Sequence, residues 1–136
     1  MKSLQIIKPD DWHLHLRDGE ILKAVLPESE RHFARALIMP NLVPPITTVD
    51  QAKKYKKSIV DAVLNKGGFK PLMTLYLTEA TKPSELILGV KTGIITAVKL
   101  YPAGVTTNSQ SGVRDFTTIY HILEVMGELG LPLCVH

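Results

Sequence analysis

The chain has a single cysteine, Cys134, so no disulfide can form within it, and a reducing compartment suits it best. No apolar run approaches the roughly 20 residues that cross a bilayer. Met1 to Lys8 holds no apolar stretch long enough for a secretory signal. A soluble, cytoplasmic protein with no membrane partner is therefore expected. Charge of one sign is scarce too: 16 Lys and Arg against 13 Asp and Glu leave +3 with the histidines neutral. The densest basic run, Lys53-Lys54-Tyr55-Lys56-Lys57, sits in a helical pattern that continues through Ile59, Val60, Ala62 and Val63. It reads as a solvated helix face. Aromatic residues make up only 6% and form no platform for stacking bases, so no nucleic-acid partner is expected. Internal repeats, low-complexity tracts and linkers are also missing.

What is present is an ordinary globular composition, 45% hydrophobic and 21% charged over 136 residues, enough for one domain with a core. Short apolar runs alternate with amphipathic ones. The first strand ends near His13-Leu14-His15, and a helix from Gly19 to Leu26 is expected to close at Pro27. Ala34 to Met39 forms a second strand, and Pro40, Pro44 and Pro45 hold an extended loop. Thr48 with Gln51 has the spacing of a capping box, starting a helix that runs to about Leu64. Lys70 to Leu77 is a third strand. Thr81 as N-cap, with Pro83 in the first turn, begins a helix to about Val90. Thr96 to Leu100 is strand four, Pro102 to Gly112 a polar loop, and Phe116 to Leu129 a helix ended by Gly130. Leu131 to His136 is strand five. This alternation predicts βαβ crossovers and a parallel sheet. Five such strands suit a doubly wound sheet or the first five-eighths of a (β/α)8 barrel, and the pattern alone leaves both open.

The densest chemistry lies in Asp11-Trp12-His13-Leu14-His15-Leu16-Arg17-Asp18. Two histidines one residue apart on a strand share a face, near enough for both imidazoles to reach one metal at about 2.0–2.1 Å. Arg17 continues that face with a planar cation suited to a carboxylate. Such pairs also occur on half-exposed strands that bind nothing, so position matters. In parallel α/β folds functional residues gather at the carboxyl ends of strands. His13, His15, Asn41, Lys99 and His136 all fall there, whereas His32 and His121 fall in helices and are expected on the surface or in packing. Lys99 stands among Ala97, Val98, Leu100 and Tyr101. Its ammonium either snorkels to solvent or points inward, where desolvation and neighbouring cations lower its pKa. A neutral amine there can add carbon dioxide, giving a carbamate whose two oxygens could bridge two metals.

His13-x-His15, the lysine in Val98-Lys99-Leu100-Tyr101-Pro102 and the terminal Val135-His136 resemble the metal site of the amidohydrolase superfamily. With Met39-Pro40-Asn41-Leu42 and Lys99-Leu100-Tyr101-Pro102-Ala103, the stretch from about Lys8 to His136 resembles the dihydroorotases of bacterial pyrimidine biosynthesis. That resemblance implies a (β/α)8 TIM barrel, residues 1–136 being the N-terminal part of one barrel domain with about five of its strands. It implies two zinc ions, the more buried one on His13 and His15, the second on His136, bridged by carboxylated Lys99. Arg17 and Asn41 would hold the carboxylate of dihydroorotate, with His136 and the backbone around His15 and Leu16 close to the substrate. A loop over the substrate falls on Ala103 to Ser111, where Thr106 and Thr107 would hydrogen-bond the bound acid; a plain polar surface loop is the other reading of those threonines. The implied reaction is reversible cyclisation of N-carbamoyl-L-aspartate to L-dihydroorotate, in an enzyme that is a homodimer.

The sequence departs from the family in what it does not reach. The general acid/base aspartate on the last barrel strand and a further zinc-binding histidine find no match, so no catalytic acid or base is assigned within this chain. Five strands alone would leave open sheet edges, and the isolated 136 residues are expected to lack activity and to bind zinc poorly. Other cyclic amidohydrolases, such as hydantoinases or allantoinases, would share the metal ligands, but Arg17 and Asn41 favour an acidic ring. A non-catalytic barrel relative serving as an assembly module would tend to lose ligands. This chain keeps all four that it is long enough to contain.

Overall fold

A computed structural model describes residues 2–65 and 67–136. Five strands, β1 (Asp10–Leu14), β2 (Arg35–Ile38), β3 (Lys70–Leu77), β4 (Ile95–Leu100) and β5 (Leu133–Val135), alternate with helices α1 (Gly19–His32), α2 (Val49–Ala62), α3 (Pro83–Lys91) and α4 (Tyr120–Leu129). Every strand pair is parallel and the sheet order is β1-β2-β3-β4-β5. A doubly wound sheet reverses its strand order at a switch point; here the order never reverses, as in a barrel wall.

The pleat divides the sheet into two faces. Ala36, Ile38, Met73, Leu75, Leu77, Val98 and Leu100 turn toward the helices and join Leu22, Leu26, Ile59, Leu86, Ile122 and Met126 in the main core. The opposite face carries a second, smaller cluster of Leu37, Met39 and Ala97, with Leu72 and Cys134 against it. Lys99 stands in this second row: it pairs across the ladder with Tyr76 on one side and Cys134 on the other.

Local chemistry explains most element boundaries. Thr48 and Gln51 form the expected capping box, Gln51 N–H donating to Thr48 Oγ1 (3.3 Å) and Thr48 N–H to Gln51 Oε1 (3.0 Å). Gly130 ends α4 in the left-handed conformation (φ 61°) that glycine adopts without a Cβ penalty. The expected helix over 116–129 begins as a 3-10 turn, Phe116–Ile119, before α4.

Two expectations are corrected. Pro27 lies inside α1, which continues to His32. The lost backbone donor is outweighed by the anchoring of the next turn, where Ser29 and Glu30 are buried, Glu30 Oε2 accepts from Leu64 N–H (3.0 Å) and its carbonyl accepts from Lys8 Nζ (2.6 Å). Thr81 is not an N-cap. Its hydroxyl accepts from Thr78 N–H (2.9 Å), and the cap position is Lys82, ahead of Pro83 at the helix start.

The segment after β4 folds back on its own base. Tyr101 and Val113 exchange backbone contacts through Val113 N–H to Tyr101 O (2.9 Å), and Ala103 N–H reaches Val113 O (3.0 Å). Gly112 lies so close that a Cβ there would fall on the Tyr101 carbonyl oxygen and within 3.1 Å of the Ala103 nitrogen. We expect Gly112→Ala to destabilise the full-length protein by about 1–3 kcal/mol, the usual cost of forcing extra volume into a packed site. Urea-unfolding midpoints check this; an unchanged midpoint would show that the loop base yields freely.

Candidate metal and anion site

The carboxyl ends of β1, β2, β4 and β5 bring most of the expected residues together. His13 and His15 share the face that alternation predicts, with Leu14 between them turned to the main core, and the β1–β2 ladder shifts register ahead of Leu14. Asp11 pairs with Ala36 and Leu14 with Ile38, leaving Trp12 and His13 together opposite Leu37. Such bulges re-aim side chains. The two imidazoles converge, with Nε2 atoms 3.1 Å apart and ring centroids 5.1 Å apart. Two nitrogens each about 2.0–2.1 Å from one ion at a tetrahedral angle stand roughly 3.3 Å apart. The pair therefore fits a shared metal.

Lys99 is 1% exposed. Its ammonium does not snorkel: Nζ donates to the Val135 carbonyl (3.1 Å) and lies 5.3 Å from the Tyr101 ring centroid. Burial pushes its pKa below the ordinary lysine value, with Cys134 opposing that shift. An ammonium with one carbonyl partner is costly to keep charged in such a place. His136 follows β5, its backbone N–H on Leu100 O (3.2 Å) and its ring 5.9 Å from that of Tyr101. It is exposed, and its charge acts on His13. Among the described residues no three His, Cys, Asp or Glu side chains form a metal-binding group. The donors at these strand ends are two histidines, a lysine and, after β5, a third histidine.

Arg17 occupies the left-handed region (φ 59°), unusual for a residue with a side chain. Its carbonyl accepts from Tyr55 Oη (2.7 Å), while its buried Nη1 has no hydrogen-bond partner. A left-handed backbone beside a buried, unpartnered guanidinium nitrogen makes this half-buried arginine a candidate for binding a ligand. Leu16 is wholly buried in the main core, so only its backbone can approach the site.

Asn41, 2% exposed, lies 2.8 Å by Oδ1 from His15 Nδ1, and its Nδ2 donates to Thr107 O (2.9 Å). Asn108 Nδ2 returns a bond to Asn41 O (3.0 Å). The 103–111 loop thus rests on the end of β2. Thr106 is wound around Ser109, giving its N–H to Ser109 Oγ (2.9 Å) and accepting the hydroxyl at its carbonyl (2.6 Å); Thr107 is exposed.

Tyr101 and Tyr76 were not among the expected site residues. Tyr101 is fully buried, stacks on Tyr76 at 4.9 Å, and its hydroxyl has no partner. Burial raises its pKa and the Arg17 charge lowers it, so a neutral phenol donor stands within the field of Arg17, whose Nη1 has no partner. The parity of Tyr101 with Lys99 along the strand was the available signal. His32 and His121 are exposed on α1 and α4, away from these strand ends.

Residues 6–136 match the model of the Amidohydrolase family, and the chain belongs to that family. It is 62% identical over 136 residues to a dihydroorotase of Ruegeria pomeroyi, covering 99% of this chain and 39% of that protein. The crystal structure of dihydroorotase from Campylobacter jejuni superposes with a TM-score of 0.86 at 42% identity, over 95% of this chain and 38% of that one. Dihydroorotase from Saccharomyces cerevisiae, solved in complex with 5-fluoroorotic acid, gives 0.87 at 38% identity, over 94% and 35%. The chain spans about two fifths of the length of the curated relatives it matches (39%). The five strands are part of a (β/α)8 barrel.

Burial lowers the pKa of both His13 and His15 from the ordinary 6.5; the charges of Lys99 and His136 add to this at His13, and those of Arg17, His13 and Lys99 at His15, where the Asn41 bond opposes it. The unfolded chain then binds more protons than the folded one below pH 6.5, so the contribution to stability is full above that value and is lost as pH falls beneath it. In metal-stripped full-length protein we expect the urea midpoint to drop between pH 7.5 and 5.5. A His13→Gln/His15→Gln double variant should flatten the drop. An identical slope in both would contradict this burial effect.

Proposed function

We propose that this chain supplies the first five strands, the metal-binding half-site and the substrate clamp of a dihydroorotase, which interconverts L-dihydroorotate and N-carbamoyl-L-aspartate in pyrimidine synthesis. The observation that carries this is the facing pair of imidazole nitrogens, 3.1 Å apart, beside a lysine that is 1% exposed. The 62% identity with a dihydroorotase supports the choice of substrate.

His13 and His15 would hold one zinc through Nε2, and His136 a second. When bound, zinc supplies Lewis acidity and brings the pKa of water down toward neutrality. Lys99, biased by burial toward its neutral amine, would add its nitrogen to carbon dioxide and lose a proton. That carbamate would replace a buried cation with an anion carrying two oxygen donors for metal. That exchange removes the cost of an ammonium held by one carbonyl.

The clamp belongs to Arg17. Its unpartnered Nη1 would take the ring carboxylate, a charge-assisted bond that fixes which amide carbonyl faces the site. Asn41 can add a donor, because its amide nitrogen carries two protons and one is spent on Thr107 O. The backbone at His15 and Leu16, His136, and Thr106 and Thr107 on the loop complete the surroundings of the substrate. In ring opening, water adds to the amide carbonyl carbon, the ring C–N bond breaks and the nitrogen takes a proton. The proton carrier is assigned to an aspartate of the last barrel strand, outside these residues. A cytoplasmic homodimer belongs to the same reading.

The test is a zinc count with a dihydroorotate hydrolysis assay on the natural full-length chain. About two zinc ions per chain and measurable turnover are expected. Arg17→Met should raise KM and lower kcat/KM by roughly 10–100-fold, the equivalent of a charged hydrogen bond of about 1.5–3 kcal/mol. A full-length chain without metal or turnover would move the function to a non-catalytic barrel relative.

A further inference from the structure

The Asn41 carboxamide joins two parts of the site. Its orientation follows from chemistry: Thr107 O is a carbonyl and can only accept, so the amide nitrogen faces it at 2.9 Å. The amide oxygen must then face His15 Nδ1 at 2.8 Å. That oxygen also only accepts, so Nδ1 carries the proton and the neutral ring leaves Nε2 bare. The bare nitrogen is the one that points at His13. On the other side, Asn108 Nδ2 donates to Asn41 O (3.0 Å), and Tyr76 Oη reaches Asn108 O (3.3 Å). Asn41 is thus the hub between the His15 imidazole, which faces His13, and the 103–111 loop.

We propose that Asn41 is a positioning residue that sets the His15 tautomer and ties His15 to the 103–111 loop, so that metal occupancy and loop order stabilise each other. This rests on the metal reading above. Binding that needs a bare Nε2 favours the state in which Nδ1–H is held by Asn41. That state in turn fixes the carboxamide so that Nδ2 holds the loop. Linkage makes the effect reciprocal: whatever metal does to the loop, the loop does to metal affinity. An outer partner of a ligating histidine is typically worth 10–100-fold in metal affinity.

Two variants separate the halves of this role in the full-length protein. Asn41→Asp keeps an acceptor for His15 Nδ1–H but has no proton for Thr107 O. Asn41→Ala loses both. Zinc affinity is read by chelator competition, the His15 tautomer from 15N imidazole shifts, and the loop from amide exchange over 103–111. Asn41→Asp should bind zinc within a few-fold of wild type while its loop exchanges about tenfold faster, as expected for one lost hydrogen bond. Asn41→Ala should lose 10–100-fold in zinc affinity, with mixed tautomers. Stripping zinc should speed loop exchange in the wild type and leave Asn41→Asp unchanged. Equal zinc loss in both variants would overturn the tautomer role, and unchanged loop exchange would overturn the tie; the near-isosteric aspartate keeps both tests open should the alanine variant unfold. A wild-type chain that takes up no zinc overturns the coupling through the metal reading. It is told apart from failure of Asn41 itself by a single Nδ1–H tautomer in metal-free protein.

Discussion

Everything in this site depends on the pleat of a parallel sheet held in sequential order. One row of side chains must pack beneath the helices, and the alternate row must face the other way. Ala36, Ile38, Val98 and Leu100 take the first row, which leaves Leu37, Met39, Ala97 and Lys99 in the second. A single-residue slip would carry Lys99 into the main apolar core and set Val98 among the histidines. Register and chemistry are one constraint here, and the Tyr76–Lys99–Cys134 row fixes it across three strands.

That constraint places polar groups where water is scarce, and each then seeks relief. Lys99 has one carbonyl, Arg17 Nη1 has nothing, and Tyr101 Oη has nothing. Buried donors of this kind are rare in folded proteins because each costs free energy comparable to a lost hydrogen bond. Two such donors and a singly bonded lysine, near two imidazoles with depressed pKa, are the groups on which the proposed function rests. Asn41 is the exception: its oxygen, its nitrogen and its backbone carbonyl are all engaged. It gives rigidity to an otherwise unsatisfied group.

Much of this was legible in the sequence because it is local or periodic. The strand core Lys70–Leu77, the Thr48–Gln51 box and the stop at Gly130 follow from propensities and caps within a few residues. Where tertiary contacts decide, the sequence was a poor guide. Pro27 is carried through α1 by the buried turn after it, and Thr81 is recruited by Thr78 rather than by a helix. The shared face of His13 and His15 follows from alternation, whereas the register shift before Leu14 is not contained in it. The contacts of Asn41 with Thr107 and Asn108 span 66 and 67 residues, and no periodicity encodes a bond of that reach. Tyr101 could have been found from its parity with Lys99, though its missing partner could not.

A dihydroorotase site here requires metal between the paired histidines. The direct measurement is anomalous diffraction at the zinc edge from crystals of the full-length protein. Such a site predicts one peak between His13 Nε2 and His15 Nε2, a second toward His136, and density for a carbamate on Lys99 between them. Zinc peaks away from these side chains, with Lys99 an unmodified amine on the Val135 carbonyl, would contradict it.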